Sequence, residues 1–126
     1  MMSDRQLGHR GESIAAEYLE QKGIRVLDRN YRFERNEIDL VCFDPDGHEA
    51  GVAEIVFVEV KTRSGDAFGR PEEAVTPKKK DHIVAASRAY LYEKKLEGAA
   101  CRFDVVSIVM GDSGADIDHF KDAFWN

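Results

Sequence analysis

Residues 56–63 read Val-Phe-Val-Glu-Val-Lys-Thr-Arg, an apolar run broken at alternate positions by a carboxylate and an ammonium group. Side chains on a strand alternate faces, so Val56, Val58 and Val60 share one face, while Phe57, Glu59 and Lys61 share the other. Residues 37–43, Glu-Ile-Asp-Leu-Val-Cys-Phe, carry the same pattern reversed in chain order. There Ile38, Leu40 and Cys42 form the apolar face, opposite Glu37, Asp39, Val41 and Phe43. Between the two runs lies DPDGHEAG (44–51), dense in turn formers. If that turn makes the runs an antiparallel pair, their ionisable ends coincide. Glu37, Asp39, Glu59 and Lys61 then converge on one patch, with Asp39 opposite or diagonal to Glu59 at about 5–8 Å between Cβ atoms.

Three carboxylates at that spacing repel one another, and burying them without positive partners is costly. Lys61 supplies one positive charge, and a divalent cation would supply two more. Oxygen donors with no nearby His or Cys suit Mg²⁺, or Mn²⁺ in its place. Such an ion neutralises charge on a phosphoryl oxygen, and the lysine orients water or meets the charge that develops there. The pattern therefore points to phosphodiester hydrolysis. It also fits a solvated strand end decorated with Glu–Lys pairs.

From Gly11 to Lys22 the sequence GESIAAEYLEQK has helical spacing, with Ile14, Ala15, Tyr18 and Leu19 on one stripe and Gly23 as the stop. Glu12 sits towards that stripe and is a further candidate. An acid in a first helical turn is favoured by the helix dipole in any case. Strands are expected at 24–33, 37–43, 55–63 and 102–110, with a bend near Asp28-Arg29-Asn30. A second helix is expected from about Lys78 to Lys95, with Ile83, Ala86, either Ala89 or Tyr90, and Leu91 inward. Residues 64–77 read as a loop with some local order, and the last sixteen residues as a turn and a short element. The order αβββαβ implies an α/β fold, with helices packed on a mixed or antiparallel sheet.

The chain has 126 residues, 43% hydrophobic and 33% charged, which suits a single domain, 1–126. No apolar run reaches the roughly 18 residues of a membrane span, and the N-terminus lacks a signal-like apolar region, so a cytoplasmic location is expected. Cys42 and Cys101 stand apart in apolar runs and read as free buried thiols. The four histidines are scattered without metal-ligand spacing, and Glu17, Glu20, Asp116 and Asp118 read as solvated. The net charge of −6 argues against a general nucleic-acid coat. Its distribution is uneven, however: residues 36–60 hold seven acids and no Lys or Arg, between basic flanks. Arg63, Arg70 and the run Lys78-Lys79-Lys80 are candidate phosphate contacts. The three lysines stand at a helix start, where the macrodipole disfavours them, so solubility or phosphate binding must account for them.

Taken together, GESIAAEYLEQKG, RNYRFERNEIDLV, FVEVKTRSGDAFGRPEEAV, RFDVVSI and the terminal HFKDAF resemble the YraN-type family of small bacterial proteins. The resemblance runs from about Gly8 to Phe124. It implies a restriction-endonuclease-like core related to archaeal Holliday-junction resolvases, with the PD-(D/E)XK site. By that resemblance Asp39 is the motif's first acid, Glu59 its second, Lys61 its lysine and Glu12 the acid of the first helix. Glu37 would be accessory. Ile38 stands where the motif's proline would, and Asn36 where glycine is expected, which puts the turn before Asp39 in question. The implied activity is Mg²⁺-dependent cleavage of DNA, including branched DNA, and a resolvase role would entail a homodimer. The other readings are a nucleic-acid-binding protein that keeps the fold without cutting, and an interaction protein unrelated to nucleic acid.

Overall fold

The computed structural model describes residues 3–48, 51–64 and 76–124. Seven elements follow in order: α1 (Asp4–Gln21), β1 (Arg25–Phe33), β2 (Asn36–Asp44), β3 (Glu54–Ser64), α2 (Pro77–Glu93), β4 (Cys101–Gly111) and β5 (Gly114–Phe120). The five strands form one sheet in sequence order. β3 and β4 run parallel, joined across α2, and the other neighbours are antiparallel. The architecture is the expected mixed α/β core, with a helix against each face.

The two faces follow from the alternation in β3. Val56 and Val58 join Ala15 and Leu19 of α1 in one cluster, and Ile55 and Phe57 join Ile83, Ala86 and Tyr90 of α2 in the other. Two expectations are corrected at the chain's ends. The terminal segment contains a full strand, β5, paired along β4 from Val105↔Phe120 to Gly111↔Gly114. α1 begins at Asp4 rather than Gly11, because Ser3 accepts from the Gln6 amide and the Gln6 side chain accepts from the Ser3 amide. That reciprocal cap satisfies two helix-start donors. Glu12 is consequently mid-helix, and the dipole explanation for its position falls away.

A third correction concerns β2. Leu40 and Cys42 pack under α1, but Ile38 packs with the α2 cluster. Strict alternation thus breaks at Asp39. The β2–β3 ladder ends at Leu40↔Val58, and on the other side the β1–β2 pairing skips from Arg29↔Leu40 to Tyr31↔Ile38. Asn30, the β1 residue in that gap, has φ 53°, a left-handed conformation that Asn tolerates better than most residues. Asn36 is not among the positive-φ residues; the β1–β2 turn places that conformation on Glu34 (φ 58°), so the missing glycine leaves the turn before Asp39 intact.

Candidate functional site

Where the ladder opens, the backbone N–H of Val60 donates to Asp39 Oδ2 at 2.8 Å instead of pairing with a β2 carbonyl. This fixes the Asp39 carboxylate beside Glu59, within hydrogen-bonding reach of it. Glu59 is 6% exposed, and its Oε2 has no hydrogen-bond partner. Its Oε1 faces two ammonium groups, Lys79 Nζ at 3.6 Å and Lys61 Nζ at 4.0 Å. Burial, and then the charge of Asp39, push the Glu59 carboxyl up to about 8, against the pull of Lys79 and Lys61. Asp39 is also raised by burial, with the Val60 hydrogen bond opposing. A buried carboxyl and a half-buried one this close are satisfied by a shared proton or by a cation.

Glu12 reaches the same cleft from α1; with Asp39, Glu59 and Lys61 it lines an open cavity of about 310 Å³. Its Oε1 is buried without a partner, and the Asn30 side chain hydrogen-bonds its carboxyl. Burial, then the charge of Asp39, raise its pKa. The close approach of α1 depends on Gly11, where a Cβ would overlap Thr62 Oγ1, the residue after Lys61 on β3. Four of the expected site residues, Glu12, Asp39, Glu59 and Lys61, are therefore brought together.

The remaining candidates divide. Glu37 does not line this cleft; bound to Arg32 Nε at 2.9 Å, it shares the neighbouring recess with Glu12, and its charge raises both Glu12 and Asp39. Lys79 belongs to the site itself rather than to a surface track, delivered by an α2 start that Thr76 caps and Pro77 opens. Lys78 is exposed at a separate recess with Arg35 and His82, and Lys80 lies 5.6 Å above the Phe124 ring. Arg63 is half-buried beyond Lys61 on β3, and Arg70 lies outside the described residues.

For a divalent ion, the donor set is two convergent carboxylates with orphaned oxygens at Glu59 and Glu12. Among the described residues no group of three His, Cys, Asp or Glu side chains forms a metal cage. The fit is thus to an ion held by two carboxylates that keeps several waters, which is the habit of Mg²⁺.

A second charged cluster escaped the sequence reading. Arg102, fully buried on β4, donates to Asp104 (3.0 and 3.2 Å), Asp44 (2.9 Å) and Glu54 (2.9 Å). His119 Nε2 lies 2.7 Å from Asp104, and His48 Nδ1 lies 2.9 Å from Glu54. Histidines scattered in sequence thus meet in one structural network. Glu20 is not merely solvated either, since it accepts from the Val26 amide at 2.6 Å. Both cysteines are free; burial pushes the Cys42 thiol up to about 12.

The model of uncharacterised protein family UPF0102, the YraN family, matches residues 11–108. The chain belongs to this family. It is 44% identical to the UPF0102 protein of Chlorobium phaeobacteroides over 124 residues, covering 94% of this chain and 92% of that one. The UPF0102 protein of Syntrophomonas wolfei is 44% identical, covering 96% of this chain and 99% of its own length. That of Syntrophus aciditrophicus is 42% identical over 98% of this chain and 92% of its own. The family match spans Glu12, Asp39, Glu59, Lys61 and Lys79. No helix among the described residues is long and apolar enough to cross a membrane.

Proposed function

We propose that this UPF0102 protein is a divalent-metal-dependent nuclease that hydrolyses phosphodiester bonds in DNA. The observation that carries the reading is the opened ladder at Asp39, where that half-buried carboxylate and the buried Glu59 converge on an open cleft, with the ammonium groups of Lys61 and Lys79 beside Glu59. A folded chain gains nothing in stability from leaving Glu59 Oε2 unpartnered beside Asp39, so the arrangement makes sense when an outside cation completes it. Asp39 and Glu59 would hold Mg²⁺ or Mn²⁺, which supplies Lewis-acid charge at a phosphoryl oxygen.

The other roles belong to the chain. Lys61 and Lys79 offset negative charge on the phosphate as it enters a cleft lined with acids. One of them orients the attacking water or meets the charge that develops on the phosphoryl group. Glu12, whose carboxyl burial and then the charge of Asp39 hold above its ordinary value, is placed to exchange a proton at the edge of the cleft. Asn30 keeps that carboxyl in position through its hydrogen bond.

The test is one mixture of labelled duplex, flapped, single-stranded and four-way-junction DNA, incubated with Mg²⁺ or Mn²⁺. The wild type should cut at least one form, and Glu59→Gln should cut none. DNA binding without cleavage by the wild type under every metal condition would leave a nucleic-acid-binding protein that retains the fold.

A further inference from the structure

We propose that the recess between the exposed edge of β1 and the outer side of α2 is a stacking site for unpaired nucleotides of the substrate. The inference rests on the nuclease reading and extends it to a substrate class: DNA with single-stranded character next to the phosphate that is cut. The recess has a volume of about 690 Å³, within the usual range for small-ligand sites. Tyr31, Phe33 and Tyr92 line it, with Arg32 and Arg88 among its other residues. Tyr92 is 73% exposed and Phe33 36%, two of the few large apolar side chains left in solvent among the described residues. They come from different elements and meet at one place. Tyr31, behind them, is held edge-on against Tyr90 at 5.0 Å between ring centroids. The Tyr90 hydroxyl in turn donates to Asp28 at 2.7 Å. One wall of the recess is therefore braced by packing and a hydrogen bond.

Open aromatic faces beside guanidinium groups suit bases that stack and phosphates that pair, without reading sequence. Position selects this occupant over a protein surface. Arg32 also borders the next recess, which contains Glu12, and Glu12 borders the cleft of Asp39 and Glu59. The three depressions thus form one run of surface, from aromatic recess to carboxylate pair. A strand with a phosphate at the carboxylates can lay its neighbouring bases along that run. Glu34 and Glu93 also lie on the aromatic recess, and they would oppose a phosphate-dense duplex more than the uncharged bases of a single strand.

Binding is measured on Glu59→Gln, so that cleavage does not interfere, with single-stranded, flapped and blunt duplex DNA carrying 2-aminopurine at unpaired positions. Single-stranded and flapped forms should bind at least about 10-fold tighter than the blunt duplex, with the 2-aminopurine emission quenched by stacking. Tyr92→Ala and Phe33→Ala, added separately, should each weaken single-strand binding about 5- to 100-fold and leave duplex binding and melting temperature unchanged. Equal single-strand binding by parent and both added variants would overturn the recess while leaving the nuclease reading intact. So would sedimentation showing that Tyr92→Ala dissociates a dimer without affecting DNA binding, which would make the recess an interface between copies. No binding of any DNA by the wild type would remove the nuclease reading, and the recess proposal with it.

Discussion

Replacing Glu59 by glutamine changes the side chain's shape little and removes the buried member of the carboxyl pair. In the metal-free protein the Glu59 carboxyl is held at about 8, against 4.5 when freely solvated. Between those values the folded state keeps a proton that the unfolded chain has released. Stability must therefore fall as pH rises through that window, the opposite of a carboxylate whose pKa folding lowers. The window is about 3.5 pH units wide and each is worth about 1.4 kcal/mol, giving a ceiling of about 5 kcal/mol. Because Asp39 shares the proton and titrates with Glu59, a loss of about 2–4 kcal/mol is the expected scale. The assay is urea denaturation from pH 5 to pH 8.5 with a chelator present, wild type against Glu59→Gln. Groups away from the pair contribute equally to both proteins and cancel in the difference. The wild type should lose stability relative to the variant across the window. Mg²⁺ at pH 8 should restore the wild type by linkage and leave the variant unmoved. Parallel pH profiles, or an equal gain from Mg²⁺ in both proteins, would refute the account of the carboxylate pair.

The remaining expectations concern the parts around that pair. Lys61→Met and Lys79→Met should each lower the cleavage rate about 10²–10³-fold, with melting temperature and DNA affinity nearly kept; a loss of folding with undiminished cleavage would make either lysine structural. Gly11→Ala should cost about 1–3 kcal/mol in urea denaturation, because its Cβ overlaps Thr62 and forces α1 off β3; unchanged stability would mean the helix can shift freely. Arg102→Met should cost about 3–5 kcal/mol at pH 7, since it leaves Asp44, Glu54 and Asp104 buried without their cation. Burial opposes ionisation of Asp104, but its hydrogen bonds with His119 and Arg102 hold its carboxyl below the usual range. Its contribution is thus present above pH 4 and lost as pH falls through the lowered value. The Arg102→Met deficit, read by the same denaturation assay, should shrink in acid.

Much of this molecule was legible from alternation alone. The valine face and the Glu59–Lys61 face of β3 follow from a period of two, and the turn-rich segment after β2 made the antiparallel pair. Parity failed at Asp39 because the ladder opens there, and an opened ladder frees the backbone from strict alternation. The start of α1 lay among polar residues with no apolar stripe, yet Ser3 and Gln6 have the spacing of a reciprocal cap and could have marked it. Lys79 was legible as a candidate phosphate contact but not as a neighbour of Glu59, because its place depends on the α2 crossover bringing the helix start alongside β3. The Arg102 network draws its partners from separate segments of the chain. Its one local signal was an arginine inside an apolar strand, with an aspartate two residues later on the same face.

Glu54 and Glu59 make the strongest internal comparison the protein offers. They lie on one strand, five residues apart, and are 8% and 6% exposed. Burial works against ionisation of both, yet the Glu54 carboxyl is held below its usual value while that of Glu59 is driven up to about 8. The difference is donors. Glu54 accepts from His48 and from Arg102, so its charge is neutralised by partners that folding itself supplies. Glu59 faces another carboxyl, has one orphaned oxygen and meets its two ammonium groups only at 3.6 and 4.0 Å. The chain therefore satisfies a buried acid fully at one end of β3 and, roughly 16 Å along, leaves another unsatisfied beside an open cleft. Burial alone does not distinguish an acid that the fold satisfies from one that it leaves unsatisfied here. The missing partner does, and a cation with its phosphate is the chemistry that would supply it.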